Sequence, residues 1–568
     1  MPDYSNEADL REQVGLVVIK MIVTHRAGGN FNLLRYNTNT STHHGIRHFM
    51  ASVSLNLPAN YWQTLHVTPK DIEFLQTYLF EHEVPLTTRE LVTVLVAERL
   101  RAEQSSAAQS MQNRKTYLPK ETYSVGDALV FPALRAGGNV RAVRAGVNPE
   151  LGAFDVLTVA MDDGAQKLFA AALATHKLND PPAEDEVDSG LDPEAVARDF
   201  GADLEKKLDT AFAADESLVR IAGRWFPRAL LLDVNTGHLN LAEAVLDMAG
   251  GEPLTTEGLM KDIELPAGVN SNLTEFSLNY ALQEDARFDE VGPAGNVLWC
   301  LERLEPEGVR TIPVPLQYVE IEHDRAVLNE QMLALEAQVD DELSEAVAPP
   351  SDEVTISLLY PHWRAGTLPI SARVKRLFPT AYESDRVRFT LVDSKTGKKI
   401  PAWVVRKHGY VYGLMDWYKS QELMPGALIR VRRGNQPGEV RIEALTHRSV
   451  RDWVRTVIVG ADGGLVFALL KQQVSAELND RMALAVPDPA AVDAARDQAA
   501  KSRISFADLT KNLMRELTKL SPQGHVHVQE LYAGINILRR VPPAPLMALL
   551  ATRPEYTHVG DLHFRLDE

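Results

Sequence analysis

The sequence holds one cysteine in 568 residues, Cys300. That excludes an internal disulfide and a cysteine-based metal cluster, and it suits a reducing, cytoplasmic setting. Long apolar runs are also missing. VGLVVIKMIV (14–23) is shorter than the ~18 residues a membrane span needs, and Lys20 interrupts it. No small-residue cleavage site follows, so neither a signal peptide nor a transmembrane helix is expected. The chain has no Gly-x-x-x-x-Gly-Lys-Ser/Thr loop, no Gly-x-Ser-x-Gly elbow and no His-Glu-x-x-His pair. RAGGN (135–139) and VGADGGLVF (459–467) are glycine turns outside the strand–glycine–helix setting that a phosphate needs. HVHV (525–528), His558 and His563 gather histidines without a carboxylate to frame them. His43-His44 stands alone. The expectation is a protein with no enzymatic activity, cofactor, metal or small-molecule substrate, and with no membrane partner.

What is present points to several domains. The chain is too long for one core, and 45% hydrophobic with 24% charged residues is ordinary for a globular protein. Net charge is −18, which alone argues against broad nucleic-acid binding. The charge is unevenly spread, however. Residues 180–216 carry 13 acids against 3 bases and begin with the linker-like DPPAEDEVDSGLDPE. Residues 320–353 carry 11 acids against 1 base. There Val327, Met332, Leu335, Val339 and Leu343 at helical spacing predict a solvated connector helix ending at Pro349-Pro350. Residues 373–455 reverse the sign, with 18 bases against 8 acids. This is either a merely soluble basic domain or a phosphate-facing surface. The first 49 residues show no clear period and read as an irregular arm, with Met50 as a candidate natural start.

PLTT occurs twice, at 85–88 and 253–256. Around the second copy, LNLAEAVLDMAG (239–250), EGLMKDIEL and SNLTEFSLNYALQED (271–285) predict three short helices, the last with Leu273, Phe276, Leu278 and Leu282 inward. RFDEVGPAGNVLWCLERL (287–304) predicts a hairpin. Thr255 or Thr256 is the expected helix cap. The C-terminus repeats the plan in SFADLTKNLMRELTKL (505–520), GHVHVQELYAGINIL (524–538), PPAPLMALLAT (542–552) and PEYTHVGDLHFRL (554–566). Around the first copy, PKDIEFLQTYLFEHEV (69–84) precedes a helix with Thr87 and Glu90 at capping-box spacing. Short strands over 123–161 then replace or follow the hairpin and suggest a small barrel. These blocks resemble HARE-type winged-helix domains, the class that includes the RNA polymerase delta subunit. The resemblance implies a link to DNA or the transcription machinery. The third helix at 271–285 has no Arg or Lys, which favours protein contact or structure over groove reading there.

Residues 354–487 alternate strands and turns, as in VRFTLVD and LIRVRRG, with MDWYKSQEL as a short helix. Asp393, Gly397, Trp403, Gly413, Trp417, Leu423 and Gly426 fall in the order of the B3-type DNA-binding pseudobarrel, which this segment resembles. Leu414 and Ala427 depart from that pattern. The resemblance implies groove contact by basic residues on strands and loops. Carried over by position these are Arg373, Lys375 and Arg376; Lys395, Lys398 and Lys399; Arg406 and Lys407; and Arg430, Arg432 and Arg433. For each lone cation a solvated surface is the plainer reading, and the cluster carries the argument. Trp403 and Trp417 read as core.

The expected fold class is multidomain α+β, with repeated winged-helix units and two small β-barrels. The divisions are 1–49 (arm), 50–120 (winged-helix-like), 121–175 (small barrel), 176–216 (acidic linker), 217–318 (winged helix), 319–353 (acidic connector helix), 354–487 (basic B3-like barrel) and 488–568 (winged helix). The expected function is binding of double-stranded DNA in transcription or DNA defence. One alternative is an acidic scaffold for a protein partner such as RNA polymerase. Another is a non-catalytic subunit of a DNA-modifying system.

Overall fold

The computed structural model describes residues 60–567 except 113, 132, 133, 135, 149–151, 180–191, 264, 266–269, 350, 435, 437 and 462. The N-terminal arm with His43-His44, Met50 and most of the Pro/Asp-rich stretch therefore lie outside the described residues. The fold is mixed α+β, with several separate sheets, one of them a seven-stranded half-barrel. No described helix is long and apolar enough to cross a membrane.

Helices α1 (Tyr61–Thr64) and α2 (Pro69–His82) lead to β1 (Leu86–Thr87), a two-residue strand that runs straight into α3 (Thr88–Gln112). The capping box is formed. Thr87 N donates to Glu90 Oε2 at 2.7 Å, and Glu90 N donates to Thr87 Oγ1 at 3.2 Å. These bonds satisfy N–H groups that the first turn of a helix cannot satisfy itself. A five-stranded meander follows: β2 (Lys115–Thr116), β3 (Ala128–Phe131), β4 (Ala136–Ala145), β5 (Asp155–Met161) and β6 (Gln166–Ala171). Ala172 N and Leu173 N donate to the carbonyls of Glu121 and Pro119, so the sheet curls back on itself around Leu129, Phe131 and Leu157.

Helix α4 (Pro193–Ala213) comes next, then the hairpin β7 (Leu218–Ile221) and β8 (Arg224–Pro227). Strand β8 pairs with β1. The hairpin that completes the first PLTT unit is thus 218–227, and the meander is an insertion ahead of it rather than a replacement for it. The acidic segment 176–216 also differs from a linker. Val196, Leu204, Leu208 and Phe212 bury one face of α4 in the core that holds α3, while Asp199 and Asp203 stay exposed. Composition registered the acids and missed the helical period.

The second unit comprises α5 (Thr236–Met248), β9 (Leu254–Thr255), α6 (Thr256–Met260), α7 (Ser271–Gln283), β10 (Phe288–Glu290), β11 (Leu298–Leu301) and α8 (Glu307–Arg310). Thr255 caps α6 by accepting from Gly258 N at 3.1 Å. Leu278 and Leu282 of α7 pack in this unit's own core, whereas Leu273 and Phe276 pack against the β7–β8 hairpin. The connector is mostly not helical. Helix α9 covers only Glu330–Gln338, and Leu328, Met332, Leu335 and Val339 join the C-terminal core.

The half-barrel contains β12 (Glu353–Ser357), α10 (Tyr360–Ala365), β13 (Thr367–Pro369), β14 (Arg386–Asp393), β15 (Lys399–Val405), β16 (Tyr410–Tyr412), α11 (Met415–Ser420), β17 (Leu428–Arg433) and β18 (Glu439–Ala444). Its strand order is β12-β17-β18-β14-β15-β16-β13, with one parallel pair, β14 and β18. Strands β19 (Thr446–Val459) and β20 (Leu465–Ala476) do not join this sheet. They form a separate two-stranded ribbon that leads to the C-terminal unit. That unit holds α12 (Pro489–Lys501), α13 (Phe506–Thr518), β21 (Val526–His527), α14 (Val528–Leu538), α15 (Pro543–Thr552), β22 (Tyr556–Gly560) and β23 (His563–Leu566). Strand β21 enters α14 and pairs with β23, as β9 enters α6 and pairs with β11.

Candidate nucleic-acid interface

The eleven cations singled out in sequence fall into three places. Lys395, Lys398 and Lys399 sit on the β14–β15 turn. Asp393 pins that turn. Its carboxylate accepts from Lys395 N at 2.8 Å and from the Trp417 indole at 3.2 Å, and Gly397 supplies the left-handed residue at φ 71. These bonds hold the carboxyl below its usual range, against the upward pull of burial. Trp417 and Trp403 are both buried. The ammonium of Lys395 donates to Thr446 Oγ1 at 2.5 Å, which sets the turn against the root of the ribbon. Lys398 and Lys399 are exposed and have no side-chain hydrogen bond or ion pair among the described residues.

Arg373, Lys375, Arg376, Arg430, Arg432 and Arg433 form a second group. Arg430 bridges Glu353 and Glu443, both at 3.2 Å, across the outer face of β12, β17 and β18. Arg433 faces Asp352 at 3.7 Å and donates to the Arg376 carbonyl. Arg373 donates to Asp340 at 3.1 Å. Arg432 stands opposite Glu353 and Arg441 in the ladder. Lys375 and Arg376 are exposed. The third group, Arg406 and Lys407, lies at the other end of the β14–β15 pair, where Arg406 donates to the Ser384 carbonyl. Seven residues of strand separate it from the lysine turn, about 23 Å at ~3.3 Å per residue. The structure therefore does not gather the eleven onto one face.

Much of the basic surplus is used internally. Arg386 holds Asp289 at 3.1 Å and Glu305 at 2.7 Å, while Arg388 reaches Glu252 at 3.2 Å. These bonds lock the second unit onto β14, together with an apolar seam of Val291, Cys300, Val309, Trp403 and Tyr410. Burial, then the neighbouring Asp289, pushes the Glu305 carboxyl up to about 8. Burial likewise pushes the Cys300 thiol up to about 11. The acidic connector meets its partners inside the protein. Arg540 pairs with Asp341 at 2.6 Å and Glu342 at 2.9 Å, and Glu342 also bonds His362. All four side chains are at most 3% exposed. Burial would raise Glu342, yet Arg540 and His362 hold it far below the usual carboxylate range.

The ribbon adds cations that the sequence reading overlooked. Register places Arg451 opposite Gln473, and Trp453 opposite Lys471, on one face. Arg451, Trp453, Lys471 and Gln473 are all exposed. Arg448 is exposed on a bulge at the root. Farther along the same face, Arg455 pairs with Glu530 at 2.6 Å, and Val457, Leu465 and Phe467 enter the C-terminal core. Both ends of the ribbon are anchored; its middle packs Val454 and Val474 against Ala483 and Ala485 on one face and leaves the Trp453 face open. Alternation around Trp453 was the available signal, but periodicity alone does not say which face another element covers.

The other candidates stand differently. Helix α15 is buried almost throughout and α7 is covered on two sides, so neither presents a free face to a groove. His563 stands edge to face with His525 and His527, at 4.7 and 4.9 Å between ring centres, while His558 lies against Phe564. Among the described residues no group of three or more His, Cys, Asp or Glu is placed to hold a metal. No protein-family model matches the chain, nor does any curated protein or solved structure.

Proposed function

We propose that this protein is a non-enzymatic DNA-binding protein. Its contact surface is the lysine turn 394–399 together with the ribbon root and middle, not the whole basic segment. The observation that carries this reading is the bond from Lys395 to Thr446. It joins two sets of exposed, uncompensated cations: Lys398 and Lys399 on one side, and Arg448, Arg451 and Lys471 on the other. Five ladder steps separate Thr446 from Trp453, about 17 Å at ~3.3 Å per step. That length fits a few successive phosphates along a strand. Phosphate contacts from Lys and Arg drive sequence-independent binding even when the net charge of a protein is negative. Two-stranded ribbons are also a known shape for entering a groove.

Within this reading the three strand–helix entries with their hairpins are winged-helix units. They serve as structure and as protein-contact modules, and the half-barrel is the DNA-facing domain of B3-like type. A cytoplasmic setting in transcription or DNA defence belongs to the same proposal. The test is binding of the full chain to a labelled 24-base-pair duplex of random sequence, by fluorescence anisotropy over a salt series. Affinity that falls steeply with salt supports the reading. No binding at low salt removes it and leaves protein partners such as RNA polymerase as the alternative.

A further inference from the structure

We propose that the ribbon face built by Arg451, Trp453, Lys471 and Gln473 stacks an unpaired base, so that the protein prefers DNA containing a single-stranded segment to a fully paired duplex. This inference rests on the DNA-binding reading and goes beyond it.

Trp453 is 60% exposed, whereas five of the other six tryptophans are at most 6% exposed and Trp363 is half-buried. The Lys471 ammonium lies 5.3 Å from its ring centre. That cation holds one face of the indole, and the exposure of Trp453 leaves surface for a planar ligand beside it. A paired duplex does not offer such a ligand from its grooves, because stacking covers the faces of the bases and leaves only their edges. An unpaired base offers its whole face, and an aromatic side chain can take it whatever its identity.

Charge completes the match. Arg451 and Lys471 flank the indole and have no carboxylate partner among the described residues. Gln473, beside them, donates one amide hydrogen to Ser449 Oγ at 2.7 Å and keeps its carbonyl oxygen and second hydrogen for a base edge. Of the nearby acids, Glu530 reaches this face but is held by Arg455. Asp452 is on the opposite face of the ribbon, and Glu422 lies at the root, within reach of Ser475. Leu469, 47% exposed on the same face, widens the apolar platform.

The experiment compares the full chain on a 24-base-pair duplex and on the same duplex with four central mismatches that open a bubble. The expected result is about tenfold tighter binding to the bubble. Trp453→Ala should bring the ratio of bubble to duplex affinity down to about one, while Trp453→Phe should keep most of the preference. A second readout is intrinsic fluorescence. A twelve-residue thymidine oligonucleotide should quench the wild type, and the quench should vanish in Trp453→Phe although anisotropy still reports binding. Equal affinity for bubble and duplex, or a preference that Trp453→Ala leaves intact, overturns this inference while the DNA-binding reading stands. Absence of binding to both probes at low salt overturns that reading and this inference with it.

Discussion

Arg430 and Lys398 belong to the same half-barrel and carry the same charge, yet their surroundings differ. Arg430 sits between Glu353 and Glu443 in a strand ladder, and Arg386, Arg373 and Arg540 are likewise met by carboxylates from other units. Lys398, Lys399, Arg451 and Lys471 face solvent without such partners among the described residues. The first set is used inside the protein, Arg430 within the half-barrel and the other three between units, and the second set is available to something outside it. A surplus of cations in a stretch of sequence therefore measures supply. Availability depends on which acids the fold brings alongside.

That contrast can be broken from either side. The largest effect belongs to the most deeply paired arginine. Arg540→Met leaves Asp341 and Glu342 buried without their cation and should cost about 3–5 kcal/mol, read as a lower urea midpoint. DNA affinity of the folded fraction should not change. Reversing the lysine turn with Lys395→Glu, Lys398→Glu and Lys399→Glu should do the opposite. Affinity for duplex DNA at low salt should fall roughly 100-fold and the salt slope by about 3, with the urea midpoint little changed.

A third effect depends on pH. Glu305 titrates near 8 in the folded protein, above its ordinary value of 4.5. The folded state thus holds a proton that the unfolded state has released. Stability should decline as pH rises from about 5 to about 8. Glu305→Gln should remove its share of that decline and make it shallower in melts taken across the range. Carboxyls held low, such as Asp285 and Asp393, lose their contribution only in acid, whereas burial pushes Glu290 up to about 7 and Asp340 up to about 6, so those two share the window. The smallest effect is Arg430→Ala. A half-exposed strand pair is worth under ~1 kcal/mol, and duplex affinity should change less than about twofold.

The local parts of this structure are legible in the sequence. The Thr87 and Glu90 spacing gives the capping box, Leu273, Phe276, Leu278 and Leu282 are the buried positions of α7, and period-two alternation marks β14 and β17. What is hidden depends on distant partners. Strand β8 reaches β1 across the inserted meander, and no local pattern records that pairing. Asp340, Asp341 and Glu342 read as a solvated run because Arg373 and Arg540 are far away in sequence. Of the eleven cations, proximity to the ribbon distinguishes the turn lysines, and that proximity comes from one bond between residues 51 apart.

The most direct test of the distinction sets two charge-reversed proteins side by side on the same duplex at low salt. One carries Glu at Lys395, Lys398 and Lys399, and the other carries Glu at Arg430 and Arg433. The first should lose binding and keep its stability, whereas the second should be destabilised and keep most of its affinity once folded. Equal loss of binding in both would contradict the distinction, because paired and unpaired cations would then serve the ligand alike.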